Sequence, residues 1–214
     1  SWHQVNIEER INSKIEFLPD IVAILLTHRH YDTSGAAKFL SEKYDAPVFI
    51  HPAASNSLIS NDQLTTWASR YDSDMPVTET IQLTDGWEMD LGGGYIRCIH
   101  TPGHTNCHSS FFIPELSILF AGDLIPSPEY PGRTDLPTGN IPKMLESIEK
   151  IIQLNPEVIV PSRGKTIRKR EVQKVLHKHR DFFISLIENL GELPENWPKP
   201  NSTCMWWSPN PEWK

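Results

Sequence analysis

Four separated stretches of this sequence carry side chains able to work on one shared centre. "LLTHRHYDTSG", residues 25–35, places His28, His30 and Asp32 directly after an apolar run. In extended backbone, side chains at i and i+2 point the same way, so His28 and His30 can converge on one point. Neutral imidazole nitrogen is a favoured ligand of zinc and other transition ions. Alone, such a pair is a weak signal, because two surface histidines give the same spacing.

Three further stretches strengthen it. "IHTPGHTNCHSSF" puts His104 in a Pro-Gly turn, "ILFAGDLI" ends an apolar run on Asp123, and "EVIVPSRGKTI" ends another at Arg163 and Gly164. Each polar group falls where a strand should end and a loop begin, the usual place for a site on a rigid scaffold.

The elements that must position these residues follow from hydrophobic periodicity. Residues 4–18 read as a helix stopped by Pro19. "DIVAILL", residues 20–26, reads as a strand buried on both faces. A helix over 33–44 and a strand at "APVFIH" come next, and this order implies a layered α/β architecture. Residues 52–80 look polar and irregular, like a long connection. "TIQLTDGWEMDLGGGYIRCIH" alternates like a hairpin or meander, and "SSFFIP" and "LSILFAGD" are two more strands. After a Pro/Gly-rich loop at 126–140, Pro142 opens a helix with Met144, Leu145, Ile148, Ile151 and Ile152 on one side. "EVIVPS" is a strand. A last amphipathic helix turns Val172, Leu176, Phe183, Ile187 and Leu190 inward. Trp206 and Trp207 in the Pro-rich tail need burial, so that tail is expected to pack on the body or a neighbour.

With 214 residues, 38% hydrophobic and 22% charged, the chain reads as an ordinary globular protein with an ample core. A net charge of −7 argues against a nucleic-acid partner, despite a basic run from Arg163 to Arg180 that reads as a solvated helix face. Cys98, Cys107 and Cys204 form no paired framework and fit a reducing, cytoplasmic setting. No segment is apolar enough for a membrane span.

Together the four stretches resemble the metallo-β-lactamase-fold superfamily across nearly the whole chain. "THRHYDTSG" matches the pattern THxHxDHxGG, "TPGHT" and "FAGD" follow in order, and "VPSRG" stands where PGHG is usual. The run from "GRTDLPTGN" to "VPSRG" is similar to the glyoxalase II-type branch. The resemblance implies an α/β fold, an αββα four-layer sandwich, with the site along one sheet edge. It implies a domain over 1–194 followed by a Pro/Trp-rich extension at 195–214. The hairpin strands that the family places before the first helix are absent ahead of Ser1. A missing N-terminal segment or a homo-oligomeric partner is expected to complete the sheet.

Carried over by position, His28, His30 and His104 match the first metal site, Asp32 a ligand of the second, and Asp123 the carboxylate bridging both. Thr33 stands where the family has a second-site histidine, Arg163 where it has the last one, and Cys107 replaces a glycine. A guanidinium cannot ligate a cation. Turned inward, Arg163 would pair with Asp32 or Asp123 and supply the missing charge, worth about 4 kcal/mol at ~4 Å and an effective dielectric near 20. One metal is therefore expected.

The function so implied is a mononuclear zinc hydrolase cleaving a small-molecule thioester, lactone or related ester through a metal-bound hydroxide. Asp32 would orient or deprotonate the water, and Arg163 would hold the oxyanion or an anionic substrate group. Two alternatives stand beside it. One is an Fe(II) persulfide dioxygenase-like enzyme using His28, His104 and Asp123; the other is a degenerate member serving in binding or assembly. Among the other candidates, His51, His100 and His108 read as structural or ligand-supporting, His177 and His179 as solvated, and Cys107 as a buried thiol.

Overall fold

The computed structural model describes residues 21–192, 199–200 and 204–207, with Ile7, residues 9–11 and Ser13 ahead of them. The expected helix over 4–18 lies largely outside these, although Ile7 and residues 9–11 are helical. The chain divides into two compact units, Ser1–Leu83 and Thr84–Lys214.

In the first unit, strands β1 (Ile24–Leu25), β2 (Val48–Ile50) and β3 (Ile81–Gln82) form a parallel sheet in the order β1-β2-β3. The apolar run at 20–26 yields a shorter strand than expected, and Val22 is 69% exposed. Among the described residues β1 is an edge of this sheet, pairing only with β2. β2, in the middle, is buried throughout.

The helix expected over 33–44 is two helices, α1 (Tyr31–Ser34) and α2 (Ala37–Tyr44). Ser34 explains the break, since its hydroxyl donates back to the carbonyls of Arg29 and His30 at 2.8 and 3.0 Å. The stretch 52–80 is less irregular than expected, because Pro52–Ile59 forms helix α3. Pro52 occupies the first turn, and His51 Nδ1 caps it by accepting from the Ala53 amide at 3.2 Å. His51 is thus structural.

The second unit is built on a six-stranded sheet. Its strands are β4 (Glu88–Asp90), β5 (Tyr95–His100), β6 (Ser109–Ile113), β7 (Ile118–Gly122), β8 (Val158–Pro161) and β9 (Ile167–Arg168), paired in that order. The pairs are antiparallel except β7–β8, where helix α4 (Ile141–Leu154) makes the crossover a parallel connection requires. The expected hairpin is β4–β5; β3, assigned to the same meander by its alternation, pairs instead with β2.

Asn140 caps α4 through its side-chain oxygen, 2.9 Å from the Lys143 amide. Met144, Ile148 and Ile151 of α4 pack with Val172, Leu176 and Phe183 of α5 (Arg170–Glu188) over Leu119 and Ile159. Two residues expected inward are not: Ile187 is 41% exposed, and Leu190, beyond the helix end, is 95% exposed. Trp206 joins this core; the side chain of Trp207 lies outside the described residues.

His179 also departs from expectation. Its place at helical spacing from Leu176, Phe182 and Phe183 puts it on the apolar face, wholly buried. Burial, with Lys178 adjacent, pushes its pKa down to about 3, against a smaller opposing effect of the Pro128 carbonyl. The folded protein therefore keeps His179 neutral, while the unfolded chain takes up a proton below about pH 6.5. Stability is complete above that pH and falls by up to about 1.4 kcal/mol per unit on acidification toward the folded value. Urea unfolding of the wild type should lose about 2 kcal/mol between pH 6.5 and 5 from this source, and His179→Phe should remove that slope.

Candidate metal centre

In the first unit, backbone alternation after β1 sorts the side chains of "THRH". His28 and His30 are fully buried, their rings edge to face with centroids 4.9 Å apart. Arg29 leaves from the other side of the chain and is itself buried. Its Nη2 donates to the Ala53 carbonyl at 2.7 Å and its Nη1 to Ser57 Oγ at 3.2 Å. The guanidinium thus ties the histidine turn to α3, and the Tyr31 amide adds a bond to the Thr66 carbonyl at 2.7 Å. Thr27 Oγ1 lies 3.0 Å from His28 Nδ1, which leaves Nε2 as the atom for a ligand. Asp32 and Thr33 sit half-buried on α1.

In the second unit, His104 follows β5 on a turn that closes against the start of α4. Gly103 makes the approach (φ +142°), where a Cβ would stand 2.3 Å from the Met144 Cα. Its carbonyl accepts from the Asn140 amide at 2.8 Å, and Ser147 Oγ donates to the Pro102 carbonyl at 2.7 Å.

His104 Nδ1 lies 2.8 Å from the Arg133 carbonyl oxygen. A carbonyl only accepts, so Nδ1 carries a proton, and in the neutral ring Nε2 is the atom that can bind a metal ion. That Nε2 faces Asp123 Oδ2 at 3.4 Å, both groups being buried. A neutral imidazole and a carboxylate at that distance can serve one metal ion together, while a protonated ring would pair with the carboxylate directly.

Asp123 ends β7 and is held on two sides. Ser162 Oγ donates to its Oδ1 at 2.5 Å, and its backbone amide donates to His108 Nε2 at 3.0 Å. His108 Nδ1 in turn donates to the Thr101 carbonyl at 3.1 Å, so the ring is a neutral, fixed tautomer. Burial and the neighbouring His104 push its pKa well below the ordinary histidine range. His108 therefore supports the carboxylate turn through a defined bond rather than by packing alone.

His28 and His30 in the first unit, and His104 in the second, are each fully buried imidazoles. Three buried imidazoles, one of them with its second nitrogen engaged by a backbone carbonyl, are a donor set that fits a transition-metal ion. Arg163 donates from Nε to Cys204 Sγ at 2.9 Å. Cys107 is a buried thiol, as expected, in contact with Thr105 Oγ1. Three supporting groups were not singled out in the sequence, Arg29, the Arg133 carbonyl and Ser162, whereas the bond from the Asp123 amide gives His108 the supporting role already open to it. Each nonetheless lay in a stretch already quoted: Arg29 in "LLTHRHYDTSG", His108 in "IHTPGHTNCHSSF", Arg133 in "GRTDLPTGN" and Ser162 in "VPSRG".

The family model for the metallo-beta-lactamase superfamily matches residues 6–163. The probable metallo-hydrolase YqgX of Bacillus subtilis is 32% identical over 143 residues, 66% of this chain and 67% of its own. Among solved structures, the BLEG-1 B3 metallo-beta-lactamase superposes with a TM-score of 0.68 at 26% identity, covering 85% of this chain and 84% of its own. TTHA1623 in a di-iron-bound form gives a TM-score of 0.64 at 28% identity, covering 82% and 84%. The chain spans only 64%, 67% and 60% of the lengths of three curated relatives it matches.

Proposed function

Because the chain belongs to the metallo-beta-lactamase superfamily, we propose that it is a mononuclear metal-dependent hydrolase acting on a small-molecule thioester, lactone or related ester. The observation that carries this reading is the buried His104–Asp123 pair, whose imidazole Nε2 and carboxylate oxygen stand 3.4 Å apart and can serve as two donors to one ion. His28, His30 and His104 would hold the ion, with Asp123 beside it. Zinc suits the three-imidazole set. Iron(II) is the alternative, supported by the di-iron form of TTHA1623 and by the two-histidine, one-carboxylate subset His28, His104 and Asp123.

When bound, such an ion supplies water activation near neutral pH and polarisation of a carbonyl. The protein's own groups do the rest. The Asp32 carboxylate orients the attacking water and takes its proton. The Arg163 guanidinium binds an anionic group of the substrate or the oxygen that gains charge. Thr33 and Arg163, in place of histidines, leave the second position with too few donors for another ion.

Hydrolysis of a panel of acyl thioesters and lactones tests this. Asp32→Asn should lower kcat by about 100-fold or more, the scale of a lost general base, with KM little changed. Arg163→Ala should act mainly on KM. Full hydrolytic activity after chelation and removal of metal would overturn the reading.

A further inference from the structure

Three of the described tail residues, Cys204–Trp206, belong to the second unit and lie outside the family-matched part of the chain. They run along the loop that supports His104. The Trp206 amide donates to the Pro131 carbonyl at 3.0 Å, Met205 forms an antiparallel bridge with Gly132, and the Arg133 amide donates to the Cys204 carbonyl at 3.1 Å. Arg133 is the residue whose own carbonyl accepts the His104 Nδ1 proton. One peptide therefore receives the tail on its N–H side and carries the histidine on its C=O side. The segment is anchored from behind, because Trp206 is buried in the main core with its ring 6.4 Å from that of Phe182 on α5. Cys204 Sγ also accepts from Arg163 Nε at 2.9 Å.

We propose that Cys204–Trp206 is a positioning strap for His104: by fixing the 131–133 loop it fixes the Nδ1 tautomer and ring direction, and so the aim of Nε2. A loop bonded only to itself would let the Arg133 carbonyl wander, and an outer hydrogen-bond partner of a metal-binding histidine typically governs roughly 10–100-fold in metal affinity. The strap acts through Arg133 and touches no substrate. The same segment holds Arg163, so one anchor orders two groups of the site. The proposal rests on the reading of His104 as a metal-binding residue only for its effect on affinity; its effect on the loop stands apart from any ion.

The test uses the full chain and two variants, Trp206→Ala and Trp206→Phe, with thermal unfolding as the check that each is folded. In metal-free protein, hydrogen exchange of the Arg133 amide and the NMR signal of the His104 Nδ1 proton are followed, with the Ile148 amide of α4 as internal reference. Trp206→Ala should speed exchange at Arg133 by more than tenfold relative to Ile148 and broaden or lose the Nδ1 signal, while Trp206→Phe keeps both near wild type. Zinc titration should then show about 10–100-fold weaker binding for Trp206→Ala. Unchanged Arg133 exchange and an intact Nδ1 signal in folded Trp206→Ala would overturn the strap, whatever the affinity does. If Trp206→Ala does not fold, Trp206→Phe is read against Trp206→Leu in the same way. A wild-type chain that binds no zinc would contradict the metal reading, and the exchange and Nδ1 measurements would still decide the strap.

Discussion

Replacing His104 by alanine is expected to empty the metal centre while leaving the fold in place. The substitution removes a proposed ligand outright, so the loss of affinity should exceed the roughly 10–100-fold that follows loss of an outer partner alone. Stability of the metal-free protein should change far less. The side chain is buried, which argues for some destabilisation, but while the ring is neutral its removal also relieves the facing of His104 Nε2 and Asp123 Oδ2 at 3.4 Å. Metal content by elemental analysis and thermal unfolding of the metal-free forms measure the two effects separately. A His104→Ala protein that retains its metal would place the ion elsewhere.

The second large effect is on folding. A Cβ at position 132 would stand 2.2 Å from the Asp123 carbonyl oxygen and 2.5 Å from Met144 Cε. The methionine tip can move; the backbone oxygen, at the end of β7, cannot. Overpacking usually costs about 1–3 kcal/mol, and a collision with main chain falls at the upper end. Gly132→Ala should therefore lower stability by about 3 kcal/mol, roughly 6–12 °C in melting temperature for a chain of this size. It should also weaken metal binding, because the same loop bears the Arg133 carbonyl. A melting temperature within two degrees of wild type, on about that same scale, would show that the loop has room to shift.

The stretches proposed to carry ligands were readable because each is local. His28 and His30 need only i, i+2 alternation, and Asp123 needs only an apolar strand that stops. The supporting groups were not, because they are main-chain atoms or distant partners. Nothing in "PGRTD" says that its arginine offers a carbonyl to a histidine 29 positions earlier. Nothing in "STCMWW" says that its backbone will pair with that loop, although the need to bury Trp206 pointed to docking somewhere. Of the elements, the long strands and both long helices follow from periodicity. The misses have separate causes. Ser34 breaks a helix through its own backbone bonds, α3 starts on a Pro52 capped by an unusual residue, His51, and β3 finds its partner by tertiary pairing rather than by its pattern. His179 is the clearest warning. Lysine and arginine neighbours suggested solvent, whereas its helical face, shared with Leu176 and Phe183, decided burial.

The central claim is one metal ion held by three histidines, and its most direct test is metal stoichiometry. Elemental analysis of protein purified without added metal should find one equivalent of zinc or iron per chain, lost in His104→Ala. Two equivalents would contradict the mononuclear centre and the argument from Thr33 and Arg163; none, with none taken up on titration, would contradict the metal centre itself.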